Sequence, residues 1–321
     1  MQLTALSFDA MGTNAHVIYD GDDPQHAALA MARVQQLEQL WSRFIASSEI
    51  SQINAAAGDP VAASAETLVL VERAVEAWEM TGGLFDPMVL EQIRALGYDK
   101  TFKELATLPP LAPSAEAIAA VVNGGRASLG ISVDREAGTV TAADGRGIDS
   151  GGIGKGLAAD MVVDSLLEAG AAGALVNLGG DLRSGGAAPE GGWRVEVDNP
   201  FDPNGPPAAR FLLDGQALVT SSSQGRRWRD GDEENHHLLN PATGQPAVSD
   251  IASVTVIADQ GWRAEALAKA AFLSGREDAL EMLPRQEATG VIVGRDGRLD
   301  WVAGSRQFRA PERVVARRPA G

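Results

Sequence analysis

Residues 149–156 read Asp149-Ser150-Gly151-Gly152-Ile153-Gly154-Lys155-Gly156, and they lead into the run Leu157 to Ala169, which stops at Gly170. A short apolar run, Ala174 to Leu178, follows and ends in Gly179-Gly180-Asp181-Leu182. Apolar residues at Met161, Val162, Leu166 and Leu167 predict a helix over 157–169. The run 174–178 predicts a strand. Four glycines around one lysine at the start of a helix expose backbone N–H groups without side-chain bulk. With a cation beside them, such groups make a seat for phosphate. The alternative is a flexible surface turn.

Two familiar phosphate signatures do not fit. A P-loop needs a glycine at position 149 and a Ser or Thr at 156, where the chain has Asp149 and Gly156. A dinucleotide fingerprint starting at Gly152 and Gly154 needs its third glycine at Leu157.

Upstream, Ala5 to Tyr19 predicts strands broken at Met11-Gly12-Thr13, and His26 to Phe44 predicts a helix with Ala30, Val34, Leu37 and Leu40/Trp41 on one face. Ser47 to Asn54 reads as a turn with a capping signal, and Ala65 to Thr81 as a second amphipathic helix closed by Gly82-Gly83. In Leu84-Phe85-Asp86-Pro87 the proline pushes Asp86 out of helical conformation. Leu105 to Ser114 is Pro-rich and reads as a surface crossing. Downstream, strands are expected at 193–197, 209–213, 217–220 and 254–258, and a helix at 262–274 ended by Gly275. Strands and helices do not alternate regularly, so the fold class is α+β and not a doubly wound sheet. Residues 1–305 form one domain on this reading, and the Arg-rich tail 306–321 frays.

The chain has 321 residues and 43 acidic against 27 basic side chains, a net charge of −16. Such a surface has no general attraction for nucleic acid or anionic lipid, so a phosphorylated ligand must be held by local groups. The absence of cysteine excludes disulfides, thiolate metal sites and cysteine nucleophiles. No basic–apolar leader is visible at the N-terminus and no apolar run approaches 18 residues, so a cytoplasmic protein is expected. Lysine occurs only at Lys100, Lys103, Lys155 and Lys269.

Two further islands carry chemistry. His236-His237-Leu238-Leu239-Asn240-Pro241-Ala242-Thr243-Gly244 places two of four histidines before an Asn-Pro turn. One imidazole there suits a base at neutral pH, and the other reading is a core or surface filler. In Ala264-Glu265-Ala266-Leu267-Ala268-Lys269-Ala270 the acid and the base stand four apart, which is the spacing of an ordinary helical salt bridge.

Taken together, these islands resemble the ApbE family, flavin transferases that move FMN from FAD onto a protein threonine. The family's D-x-G-G-I-A-K-G and L-V-N-L-G-G-D match Asp149–Gly156 and Leu175–Asp181. Its M-G-T matches Met11–Thr13, its S-E-[LI]-S-x-[LI]-N matches Ser48–Asn54, and its G-x-F-D-P-x-V matches Gly83–Val89. Its H-[IL]-[IL]-D-P-x-T-G matches His237–Gly244, with Asn240 in place of Asp.

The resemblance implies an α+β flavin-transferase fold of mixed sheets flanked by helices, with FAD in a cleft between two subdomains. It implies that Met11, Thr13, Phe85, Asp86, Pro87, Asp149, Gly151, Gly152, Gly154, Lys155, Gly156, Asp181, His237 and Thr243 line that cleft. The partners it implies are FAD and an acceptor protein carrying a target threonine. Lys155 then orients phosphate, His237 is the base for the hydroxyl, and Mg²⁺ is the expected metal. The family's metal element A-D-A-x-[AS]-T-[AG] appears here with Glu265 for Asp and Lys269 for Thr, and the backbone carbonyl ligand falls on Gly154. A longer carboxylate can still coordinate, whereas an ammonium has only donors and instead places its charge where the metal sits. Two other outcomes use the same motifs: a non-enzymatic FAD-binding relative, and an FAD pyrophosphatase that passes FMN to water.

Overall fold

The computed structural model describes residues 1–101, 104, 129–143, 145–224, 227–230 and 233–311. Its centre is an eight-stranded sheet built from β1 (Leu3–Ala10), β2 (Thr13–Asp20), β3 (Gly173–Leu178), β4 (Asp181–Gly186), β5 (Ala217–Ser222), β6 (Ile251–Ala258), β7 (Thr289–Gly294) and β8 (Leu299–Trp301). Spatial order equals chain order, and each neighbouring pair is antiparallel. The sheet is therefore a meander whose long connections carry the helices.

The two faces sort by strand alternation. Ala174, Val176, Ala217, Val219, Val254, Val256 and Ile292 point to the helical side. Leu175, Leu218, Ile257 and Val291 point to the other side, where the hairpin Trp193–Val197/Ala209–Leu213 covers them with Trp193 and Phe211. All eight residues of β6 are buried, since it is covered on both faces.

On the helical side lie α1 (Pro24–Trp41), α2 (Glu49–Ala55), α3 (Ala65–Met80), α4 (Leu90–Ala95), α5 (Gly154–Glu168), α6 (Gly261–Ser274) and α7 (Arg276–Arg285). The first three start on local side-chain caps. Asp23 accepts from Gln25 N–H with Pro24 at the first helical position, and Ser48 and Ser64 cap α2 and α3. The segment read as a turn at 47–54 is thus the capped start of α2, too short for its periodicity to show. Glu49 adds a tie by accepting from Ser64 N–H (3.1 and 3.0 Å) and Ser64 Oγ (2.7 Å).

At the C-terminus, Ser305–Phe308 form a 3-10 turn and the Arg309 guanidinium lies 3.6 Å over the Trp301 ring. The chain expected to fray from Arg306 stays packed through Arg309, because the cation–π contact and a bridge to Phe211 hold it. Arg313, Arg317, Arg318, Lys103 and the Pro-rich run 105–114 lie outside the described residues. Among the described residues, no helix is long and apolar enough to cross a membrane.

Candidate active site

One cleft collects segments that are far apart in sequence: the Met11-Gly12 turn, the end of α1 from Glu38 to Phe44, Phe85-Asp86, Asp149 to Lys155, His237 to Pro241, and Lys269. Each wall has a local cause. Met11 (φ 51°) and Gly12 (φ 65°) form a two-residue hairpin loop with both residues left-handed, the geometry that matches strand twist. Glu38 receives the N–H groups of Met11 and Gly12, and burial raises its pKa against their pull.

The glycine-rich turn is held from several sides. Asn54 clamps the backbone of the buried Ile148, donating to its C=O (2.9 Å) and accepting from its N–H (2.7 Å). Asp149 N–H donates to Pro87 C=O (2.8 Å), the Ser150 hydroxyl donates to Trp41 C=O (2.6 Å), and Asp149 Oδ1 accepts from Gly151 N–H (2.9 Å). Arg43 lies 3.5 Å from Asp149 Oδ1 and over the rings of Phe44 (4.2 Å) and Tyr98 (4.7 Å). Gly152 has a packing reason: a Cβ there would lie 2.9 Å from Phe85 Cε2 and 3.6 Å from Lys269 Cε.

Below the turn sits a cluster of four charges. Lys155 pairs with Asp181 and donates to Glu265 Oε1 (3.1 Å), and Lys269 donates to the same oxygen (3.0 Å). Glu265 Oε2 accepts from Gly156 N–H (2.8 Å). The start of α5, read in the sequence as a seat for phosphate, therefore already holds a protein carboxylate. Burial alone would raise the Glu265 pKa, but the two ammonium groups and the Gly156 N–H outweigh it and hold the group at about 2. Burial raises Asp181 against the pull of Lys155.

The first turns of α5 and α6 touch at their glycines. A Cβ on Gly156 would come within 2.3 Å of Gly261 O, and one on Gly261 within 2.4 Å of Gly156 O. The start of α6 is capped from a neighbouring helix, since Asp160 accepts from Gly261 N–H (2.7 Å) and Trp262 N–H (3.1 Å). Burial pushes Asp160 up to about 7 against those donors and Arg183.

The two histidines divide as alternatives. His236 is buried, accepts from Leu238 N–H at Nδ1 (3.3 Å) and donates from Nε2 to Ala247 C=O (3.1 Å). These partners hold the ring in a structural role. His237 lines the cleft.

Not every residue expected at the cleft reaches it. Thr243 is exposed in the turn of the hairpin Leu239–Asn240/Gln245–Pro246, its hydroxyl directed at Asn240 C=O and Gln245 N–H. Thr13 packs against the Gly179 turn, where a Cβ would lie 2.2 Å from its Oγ1. Pro87 acts through its carbonyl on Asp149. Gly156, Asp181 and Glu265 lie behind the cleft floor, buried, and bear on it through Lys155 and Lys269. Met11, Phe85, Asp86, Asp149, Gly151, Gly152, Gly154, Lys155, His237 and Lys269 line it. Glu38, Arg43 and Tyr98 line it too, and sequence reading passed over them. Arg43 carries no motif, and its stacking partner Tyr98 is 55 residues away.

The donor set does not fit a divalent cation. Glu265 Oε1 is shared by two ammonium groups, the neighbouring side chain on α6 is a donor, and among the described residues no group of three His, Asp or Glu converges.

This architecture defines an antiparallel α+β protein with a cleft, lined by charges of both signs, over a glycine-rich turn. Solved structures share it. The ApbE protein of Thermotoga maritima superposes with a TM-score of 0.85 at 26% identity, over 97% of this chain and 100% of that one. The flavin transferase ApbE of Vibrio cholerae has the same fold, with a TM-score of 0.80 at 21% identity over 96% and 99%. The FAD:protein FMN transferase of Treponema pallidum is 31% identical over 274 residues, 80% of this chain and 74% of the relative. That of Rhodobacter capsulatus is 29% identical over 284 residues, 85% of this chain and 51% of the relative. The family model described as ApbE family matches residues 11–293. The chain belongs to the ApbE family.

Proposed function

We infer that this protein is an FAD:protein FMN transferase: it binds FAD in the cleft and moves FMN onto a threonine hydroxyl of an acceptor protein, releasing AMP. The observation that carries this reading is convergence. Family motifs at 11–12, 85–86, 149–155 and 237–241 come from separate elements and face one cleft. Relatives named FAD:protein FMN transferase support it.

In this reading the diphosphate lies over Gly151-Gly152, facing the ammonium groups of Lys155 and Lys269. His237 takes the proton from the acceptor threonine. The threonine oxygen forms a bond to the phosphorus nearer the flavin, and the bond from that phosphorus to the bridging oxygen breaks. AMP leaves with the electron pair. Transfer of this kind needs alignment and charge neutralisation more than covalent catalysis, and the protein's own cations stand at the cleft to supply the latter.

The test is incubation with FAD and a threonine-bearing acceptor, with in-gel flavin fluorescence and AMP release read together. A fluorescent acceptor band with stoichiometric AMP is expected. AMP and free FMN without labelling would move the assignment to a pyrophosphatase. Tight FAD binding without AMP would make the protein a non-enzymatic binder.

A further inference from the structure

Lys269 and Glu265 are one turn apart on α6, and alone they would make an ordinary helical pair. Their setting is not that of a surface pair. Glu265 is fully buried, and its Oε1 already has the Lys155 ammonium at 3.1 Å. Lys155 also pairs with the buried Asp181. With Lys269 included the four charges balance. Without it, one lysine faces two buried carboxylates, and the site needs another cation. The Lys269 side chain runs past Gly152, where a Cβ would touch its Cε at 3.6 Å, and it lines the cleft. Of its three donors, one goes to Glu265 among the described residues, so two remain for a ligand oxygen on the cleft side.

We propose that the Lys269 ammonium is the resident cation of this cleft, so that the protein binds the diphosphate of FAD without a divalent metal. The proposal rests on the reading of the cleft as an FAD site. The chemistry follows from the side chain. Lysine is a point charge suited to phosphate oxygens, tethered so that no ion need be recruited. It also closes the position: an incoming cation meets the ammonium before it meets Glu265. The neutral residue Thr at 269 removes that barrier, leaves the cluster one charge short, and offers a hydroxyl oxygen in place of a donor-only head. Lys269→Thr therefore opens a cation site that the natural chain keeps shut.

Two measurements decide this, run on the natural protein, Lys269→Thr and Lys269→Met. The first is titration of Mn²⁺ into protein alone, followed by electron paramagnetic resonance. The second is FAD affinity by flavin fluorescence, in excess EDTA and in excess Mg²⁺. The natural protein is expected to leave Mn²⁺ free and to bind FAD equally in both media. Lys269→Thr should gain Mn²⁺ binding and lose about tenfold in FAD affinity in EDTA, a loss that Mg²⁺ reverses. Lys269→Met should show the same loss without recovery.

Stoichiometric Mn²⁺ on the natural protein would overturn the proposal, as would an FAD affinity that rises about tenfold with Mg²⁺. Lys269→Met binding FAD in EDTA as tightly as the natural chain would do the same. Absence of FAD binding in every sample sinks the FAD reading instead, while the Mn²⁺ arm still decides the cation. If circular dichroism shows that neither variant folds, the natural protein's response to Mn²⁺, EDTA and Mg²⁺ decides alone.

Discussion

Replacing Gly156 by alanine tests the idea that the two helix starts are set by contact between glycines. The added Cβ falls 2.3 Å from Gly261 O, 2.5 Å from Gly261 C and 2.9 Å from Trp262 N, all of them backbone atoms. No side-chain rotation relieves that, so α5 and α6 must separate by about 1 Å, a forced overpacking that costs about 2 kcal/mol. Separation also stretches the bond from Gly156 N–H to the Glu265 carboxylate, now 2.8 Å, a charge-assisted bond worth about 2 kcal/mol. The expected loss in Gly156→Ala is thus about 4 kcal/mol, read as a lower urea midpoint at unchanged slope. Gly261→Ala meets Gly156 O at 2.4 Å and should cost a similar amount. The double variant should cost less than the sum, because one separation relieves both clashes. Single losses below about 1 kcal/mol, or strict additivity, would refute the account.

Asn54→Ala removes both bonds to Ile148 and leaves that buried N–H and C=O unpaired, so a loss of about 2 to 3 kcal/mol in urea unfolding is expected, with weaker FAD binding as the turn at 149–152 loosens. A loss within about 0.5 kcal/mol would show the clamp to be incidental. The pH dependence of stability should carry the signature of Glu265. Its folded pKa, about 2, lies below the unfolded value of 4.5, so its contribution is present above about pH 4.5 and fades as pH falls towards 2. The stability difference between the natural chain and Glu265→Gln should shrink by about 3 kcal/mol over that range, and a difference that stays flat would count against an ionised, doubly paired Glu265.

Element positions were largely legible. The helix read over 157–169 spans Gly154–Glu168, and the strands read at 193–197 and 209–213 have those bounds. Periodicity alone locates such runs because burial on one face dictates it. The glycine-rich segment was legible as a site, but the role of each glycine was not. Gly151 donates its N–H to Asp149, Gly152 makes room for Phe85 and Lys269, and Gly156 serves helix contact. The cap of α6 by Asp160 could not be read, because that residue lies 101 positions from Gly261. Local caps leave a local signature, and remote ones leave none.

By itself, the sequence determined the class of the chain, the order of its motifs and the pairing of Glu265 with Lys269, since helical spacing puts residues four apart side by side. Only the tertiary structure decided which histidine is structural, that Thr243 turns away from the cleft, and that Lys155, Asp181, Glu265 and Lys269 form one balanced cluster. The physical reason is range. Side-chain periodicity and capping act over a few residues, whereas desolvation and charge pairing join groups brought together by the packing of α5 on α6, over separations of up to 110 residues.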